Sequence, residues 1–306
     1  MMKRLTVLLF HFWIFGFTAS AQQQAQFTQY MFNGLALNPA YAGSHESISA
    51  TALSRIQWVG IEGAPNTNTL SIHSPVPNKN IAVGAIFSRD EIGVSTDNSL
   101  FFSYAYRIKF SRSTILSMGL QGGFRQSSIN YGELGINDPN LASTTGEISP
   151  NFGVGLYLYT NTYYVGVSSP RLFRNTLNVS DNNDLNEFST KEIPHYFITS
   201  GMVFELNPVV KIKPSILLKS VGGAPLEMDI NANVILDDKV WLGLSYRSFD
   251  SFSFLFDLQA SPQLRFGYAY DYTLTDLKAV TSGSHELMVN YRFVFSKNKV
   301  VTPRYF

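Results

Sequence analysis

The chain has 306 residues, of which 45% are apolar, 14% aromatic and only 15% charged, with 23 basic and 22 acidic side chains and no cysteine. That balance excludes a nucleic-acid partner, which requires a basic excess. The lack of cysteine excludes disulfides, thiol nucleophiles and thiolate metal sites.

Residues 1–21 read as a secretory leader. Lys3 and Arg4 open it, Leu5 to Phe17 form an apolar core too short to span a bilayer, and Ala19-Ser20-Ala21 supplies the cleavage site. Without Lys3 and Arg4 the balance becomes 21 basic to 22 acidic residues. The segment 22–46 contains "QFTQYMFNGLALNPAYAGS", which reads as a short amphipathic helix ended by Asn38-Pro39. Free in water it would expose Phe27, Tyr30, Met31, Phe32 and Leu35, so these five are the candidate residues of a stopper inside the rest of the chain.

Residues 47–295 alternate with period 2, as in "LEMDINANVIL", "LRFGYAYD" and "HELMVNYRFVF". A soluble β-sandwich alternates too, with its apolar face turned in. Here the apolar face persists for 8–11 residues and ends in Tyr and Phe, the length and the girdle of strands that cross a membrane. About fourteen such segments are present, an even number that closes an antiparallel outer-membrane β-barrel. Alternate connections are short ("VPNKN", "SRS", "TNT", "NP", "DD", "SPQ"), and the three longest fall among the others. The predicted fold is therefore all-β: a fourteen-strand barrel facing membrane lipid, with the N-terminal helix plugging its periplasmic mouth. Residues 296–306 form a C-terminal tail.

The inward face gives the candidate lumen charges: Lys213, Lys219, Glu227, Asp229, Arg265, Asp271, Glu286 and Arg292. They suit either paired packing or a polar conduit. Arg171, Leu172, Phe173 and Arg174, at the base of a long outer loop, are the candidate partner contact. Catalytic and cofactor motifs are missing. The histidines are scattered, "SVGGAP" lacks the Lys and Ser/Thr of a phosphate loop, and there is no G-x-S-x-G. No cofactor, metal or enzymatic activity is expected.

Several stretches resemble the PorP/SprF family of type IX secretion outer-membrane proteins from Bacteroidetes. They are "QFTQYMFNGLALNPAYAGS" (26–44), "QWVGIEGAPNTNTLSIHSPV" (57–76), "YAYRI" (104–108), "LKSVGGAPLEMDINANV" (218–234), "YAYDYTLTDL" (268–277) and "GSHELMVNYRF" (283–293). The resemblance implies a barrel with a lumenal N-terminal segment and a role in type IX secretion or gliding motility. The partner it implies is a periplasmic secretion component or a surface adhesin with a type B C-terminal domain. The alternative, from fold analogy alone, is a channel for hydrophobic small molecules.

Overall fold

The computed structural model describes residues 26–111, 113–130, 144–179 and 188–293. The expected leader and the tail over 296–306 lie outside the described residues. The strands are β1 Ile48–Ile56, β2 Asn66–Pro75, β3 Ile81–Ile92, β4 Ser95–Lys109, β5 Ile115–Ile129, β6 Thr144–Tyr159 and β7 Tyr163–Ser169. A surface hairpin comes next, β8 Thr176–Val179 and β9 Phe188–Lys191. The wall resumes with β10 His195–Met202 and its continuation β11 Phe204–Glu205, then β12 Val210–Val221, β13 Glu227–Leu236, β14 Val240–Arg247, β15 Ser251–Gln259, β16 Leu264–Thr273 and β17 Ser284–Phe293.

Each wall strand pairs antiparallel with its neighbours, and β17 pairs β1 from Ile48↔Phe293 to Ile56↔His285. With β10 and β11 counted as one strand, fourteen walls close the ring. The interruption at Val203 has a local cause. Pairing between β10 and β12 stops at Gly201↔Ser215 and resumes at Phe204↔Ile212, and between them lies Pro214, which has no N–H to give.

Burial alternates along the strands as "BiBeBeBeBe" does in β17, putting Leu287, Val289, Tyr291 and Phe293 outside and Glu286, Met288, Asn290 and Arg292 inside. The outer belt exposes Phe102, Leu120, Leu244, Phe254 and Leu287 by more than half each, which is tolerable only in lipid. The ends of β1 and β17 share one rim with the short turns (the turn side), and the longer connections lie on the other (the loop side). The parity read from sequence holds. Two loop-side connections are nevertheless short, because β3 and β4 run on until only Gly93 and Val94 join them, and β14 and β15 are joined by 248–250. At 15, 15 and 16 residues, β4, β5 and β6 rise roughly 35 Å at the usual tilt, taller than a ~25 Å apolar band. They therefore stand above the membrane on the loop side.

The N-terminal segment fills the lumen, and both apolar cores among the described residues are assembled on it. One joins Phe27, Tyr30, Met31 and Phe32 to Leu53, Phe197, Leu217, Ile235, Trp241 and Met288. The other joins Leu35, Ala40, Tyr41 and Ala42 to Ile86, Phe101, Tyr157 and Tyr164. Two expectations need correction. The segment is not one helix but three single 3₁₀ turns, Tyr30–Phe32, Gly34–Ala36 and Pro39–Tyr41. Glu286 takes the N–H groups of Thr28 and Gln29 ahead of the first turn, and each turn then closes its own short bonds (Phe32 N–H to Gln29 O, Ala36 N–H to Asn33 O, Tyr41 N–H to Asn38 O), so 3₁₀ pieces suffice. Nor are Phe27–Leu37 confined to the turn-side mouth. Gln26 bonds Glu227, the first residue of β13 on the loop side, while Gly43 bonds His73 near the turn-side end of β2. The segment thus threads the lumen lengthwise, with Asn38–Ser44 at the turn-side mouth and Phe32 reaching Trp241 and Arg265 near the turn-side ends of β14 and β16.

Candidate functional site: the filled lumen

At the loop-side level the segment is fastened by carboxylates. Gln26 Nε2 donates to both oxygens of Glu227 at 2.6 and 2.8 Å. The backbone N–H groups of Thr28 and Gln29 donate to the two oxygens of Glu286 at 2.9 and 2.7 Å, and the Thr28 hydroxyl donates to Asp271 at 2.8 Å. Arg55 closes this knot, lying 2.6 Å from Asp271 and 3.1 Å from Glu286, with Thr28 Oγ1 accepting from it at 3.0 Å. Beside it Arg247 pairs with Asp229 at 3.0 Å, and Lys219 lies 4.0 Å from Glu227. All of these wall charges except Glu227 are nearly inaccessible, so each needs its partner to be tolerated in a low-dielectric interior.

Nearer the turn side, along β12–β16, cations are held by aromatic faces instead. The Arg265 guanidinium lies 4.8 Å from the Phe32 ring centroid and 4.7 Å from that of Trp241, and Lys213 Nζ sits 5.2 Å from Trp241 and 5.8 Å from Tyr164. Phe32 meets Trp241 edge-on at 5.2 Å. Ring faces are electron-rich, and this cage partly replaces the hydration both cations lose.

At the turn-side mouth the segment packs on bare backbone. Gly119 of β5 and Gly155 of β6 face inward, where a Cβ would stand 2.1 Å from Ala40 N and 2.0 Å from Asn38 Oδ1. Asn38 caps its own turn by accepting from Ala40 N–H at 2.9 Å and donates to the Leu156 carbonyl at 2.9 Å; Ser168 donates to the Leu37 carbonyl at 2.7 Å. Arg107 donates to Gly43 O at 3.1 Å. Replacing Asn38 by Ala removes a cap and a cross-contact, and is expected to lower stability by about 1–2 kcal/mol in urea unfolding of the folded barrel.

The sequence-predicted lumen charges all point inward, and they are held by two different means. Lys213 faces Asn233 across the sheet and rests on rings, whereas Lys219 faces Glu227. Arg292 is buried near the turn-side end of β17. Arg55 and Arg247, which hold the acidic half together, were not among the candidates. Their signal was available: each falls on the inward parity of its strand, one or no residues from its end.

The four candidate partner-contact residues do not form one surface. Arg171 reaches inward, 5.3 Å from the Phe101 ring and 3.4 Å from Glu192, which also lies 3.8 Å from Arg125. Arg125 is paired with Asp97 at 2.6 Å, so these groups cap the mouth between β4 and β7. Leu172 pairs with the β6 edge through the Phe152 carbonyl, whereas Phe173 and Arg174 are exposed, Phe173 against Phe152 at 5.5 Å.

His45 meets the Tyr41 hydroxyl at 3.0 Å, and His285 turns outward to Tyr268 while Glu286 turns inward. Among the described residues no group of three or more His, Asp or Glu is placed to hold a metal. The described arrangement holds a peptide segment in place.

Among solved structures, the chain is similar to the CymD monoaromatic hydrocarbon channel (14% identity over 91% of this chain and 96% of that one, TM-score 0.47). It is also similar to the Acinetobacter baumannii outer membrane protein Omp33 (9% identity, 81% and 100%, TM-score 0.46) and to a Pseudomonas aeruginosa FadL homologue (10%, 81% and 89%, TM-score 0.44). A search of curated proteins gave no match. Residues 19–291 match the sequence profile described as type IX secretion system membrane protein PorP/SprF. With that match spanning nearly the whole barrel and its lumenal segment, the chain belongs to the PorP/SprF family of outer-membrane proteins associated with type IX secretion.

Proposed function

We propose that this barrel serves type IX secretion as an accessory platform at the cell surface, receiving a secreted adhesin with a type B C-terminal domain. The observation that carries this reading is the division of labour within the barrel. The lumen is occupied by the chain's own N-terminal segment, whereas β4–β6 extend beyond the membrane on the loop side and offer surface there. Phe173 and Arg174, exposed at the base of the β8–β9 hairpin, are proposed as part of that contact. Docking of the periplasmic secretion machinery on the turn side is the companion role consistent with the family. A hydrophobic solute is poorly served by a lumen lined with ion pairs and hydroxyls.

Deleting the gene is expected to abolish surface display of a type B adhesin while leaving the barrel's other neighbours in the membrane. Display and gliding motility equal to the parent strain would overturn the adhesin role.

A further inference from the structure

The two halves of the threaded segment are fastened by different means. Asn38–Gly43 lie against glycine backbone and are held by bonds to and from the main chain, so moving them would break contacts nothing else can replace. Gln26–Gln29 are held by Glu227, Asp271 and Glu286. Each of those carboxylates also has a cation on the wall: Arg55 for Asp271 and Glu286, Lys219 and Arg247 for Glu227. Removing the upper half would therefore leave none of the three without a cation. That spares the main penalty of opening a charged interior.

Two further observations locate what lies behind that half. A cavity of about 20 Å³ separates Phe27, Tyr30 and Leu37 from Phe197, Leu217 and Lys219, and one of about 30 Å³ separates Tyr30, Met31 and Leu37 from Tyr157, Tyr164 and Thr199. The first also reaches Glu227, Asp229 and Arg247, so the segment is slack against the wall from β6 round to β14. Beside it, the wall carries buried oxygens that the segment does not satisfy. Both carboxylate oxygens of Asp257 on β15, and Asn231 Oδ1 and Asn233 Oδ1 on β13, have no hydrogen-bond partner among the described residues. Polar groups unmatched by protein in this number call for water. Between the halves lies Asn33-Gly34, and a Cβ at Gly34 would stand 2.6 Å from the Tyr41 ring, so the chain bends there through glycine.

We propose that Gln26–Phe32 is a displaceable stopper over a polar, water-lined path along β12–β17, and that Asn38–Gly43 is the fixed anchor on which it pivots. The path takes hydrated, polar solutes. Since Phe27, Tyr30, Met31 and Phe32 are buried, the closed form dominates at rest and opening is driven by whatever draws on the stopper. This inference does not depend on the secretion partner.

The lack of cysteine allows a clean test. Asn233→Cys reports on the wall behind the stopper, and Ser117→Cys, the next inward position below Gly119 on β5, reports on the anchor. Each is placed in the full-length barrel with and without the unlatching pair Gln26→Ala and Thr28→Ala, and treated with a small charged methanethiosulfonate. Barrel integrity is checked by heat-modifiable mobility. The pair removes hydrogen bonds to charged groups, so modification at 233 is expected to accelerate at least tenfold while that at 117 stays unchanged. No acceleration at 233, or equal acceleration at both positions, overturns the proposal. Should the alanine pair fail to assemble, Thr28→Ser and Thr28→Val in the Asn233→Cys barrel must still differ in the same direction, with Val faster.

Discussion

Gly119→Val is expected to expel or prevent seating of the lumenal segment and to lower barrel stability by about 3 kcal/mol or more. The Cβ would stand 2.1 Å from Ala40 N and 2.4 Å from Pro39 C. Those are backbone atoms of a tight turn, and the turn's other side is fixed by Tyr41 in the aromatic cluster with Tyr157 and His73. The strand cannot yield either, because β5 is paired along its length on both edges. The remaining relief is to lift the turn, which exposes Leu35, Ala40 and Tyr41 together. Urea midpoints of the purified barrel measure the loss, and protease cleavage within 26–44 reports the lifting directly. Gly222→Ala is the control: its Cβ would meet only Ile193 Cγ2 at 3.6 Å, and it is expected to stay within about 0.5 kcal/mol of the parent. A Gly119→Val barrel with parental stability and a protected segment would show that the floor is not what holds the turn.

Arg55→Leu is expected to destabilise by about 3–5 kcal/mol, because it strands two inaccessible carboxylates. Asp271 and Glu286 lie on the adjacent strands β16 and β17, and Arg55 is the cation bonded to both. The triple change Arg55→Leu, Asp271→Asn and Glu286→Gln should recover part of the loss, since it removes charge on both sides and keeps one of the two acceptor oxygens that serve the N–H groups of Thr28 and Gln29. If the triple variant unfolds no later than the single one, the penalty lies in lost packing of the arginine stem, not in unpaired charge. The measurement is the same urea series, read as a mutant-cycle comparison.

Much of the architecture was legible because a barrel wall obeys a local rule. Period-2 alternation with lipid outside and polar groups inside gave a count of about fourteen walls, the ring closes on fourteen, and "LRFGYAYD" opens β16 at Leu264. The rule fails where both faces meet water. The upper reaches of β4 and β5, with "STDNS" and "RQSSI", lack a continuous apolar face. The β8–β9 hairpin, with four residues in each strand, is too short to display a period. The lumen was harder still. Inward direction follows from parity, but partner choice depends on register across neighbours, and Lys213 opposite Asn233 differs by six residues of β12 from Lys219 opposite Glu227. The lumenal segment showed its burial through Phe27, Tyr30, Met31, Phe32 and Leu35, yet its route did not follow from any pattern within it. That route is set by acceptors contributed by strands about two hundred residues later and more.

Such distances bear on how the ring is put together. Closure joins the first strand to the last, the pairing with the greatest loop to fix and so the slowest to find unaided. Thr28 meets Glu286 across a separation of 258 residues, as remote as the seam itself, and Arg55 on β1 touches the same carboxylate. A segment already resting on β1 to β5 therefore presents β17 with a half-finished mould: two backbone N–H groups and a guanidinium waiting for one glutamate. The arriving strand gains register from the inside before a single seam hydrogen bond has formed. Barrels lacking 26–42 would then be slow and error-prone in zipping shut even where the finished ring holds, and the stopper would be a tool of construction before it is a part of the product.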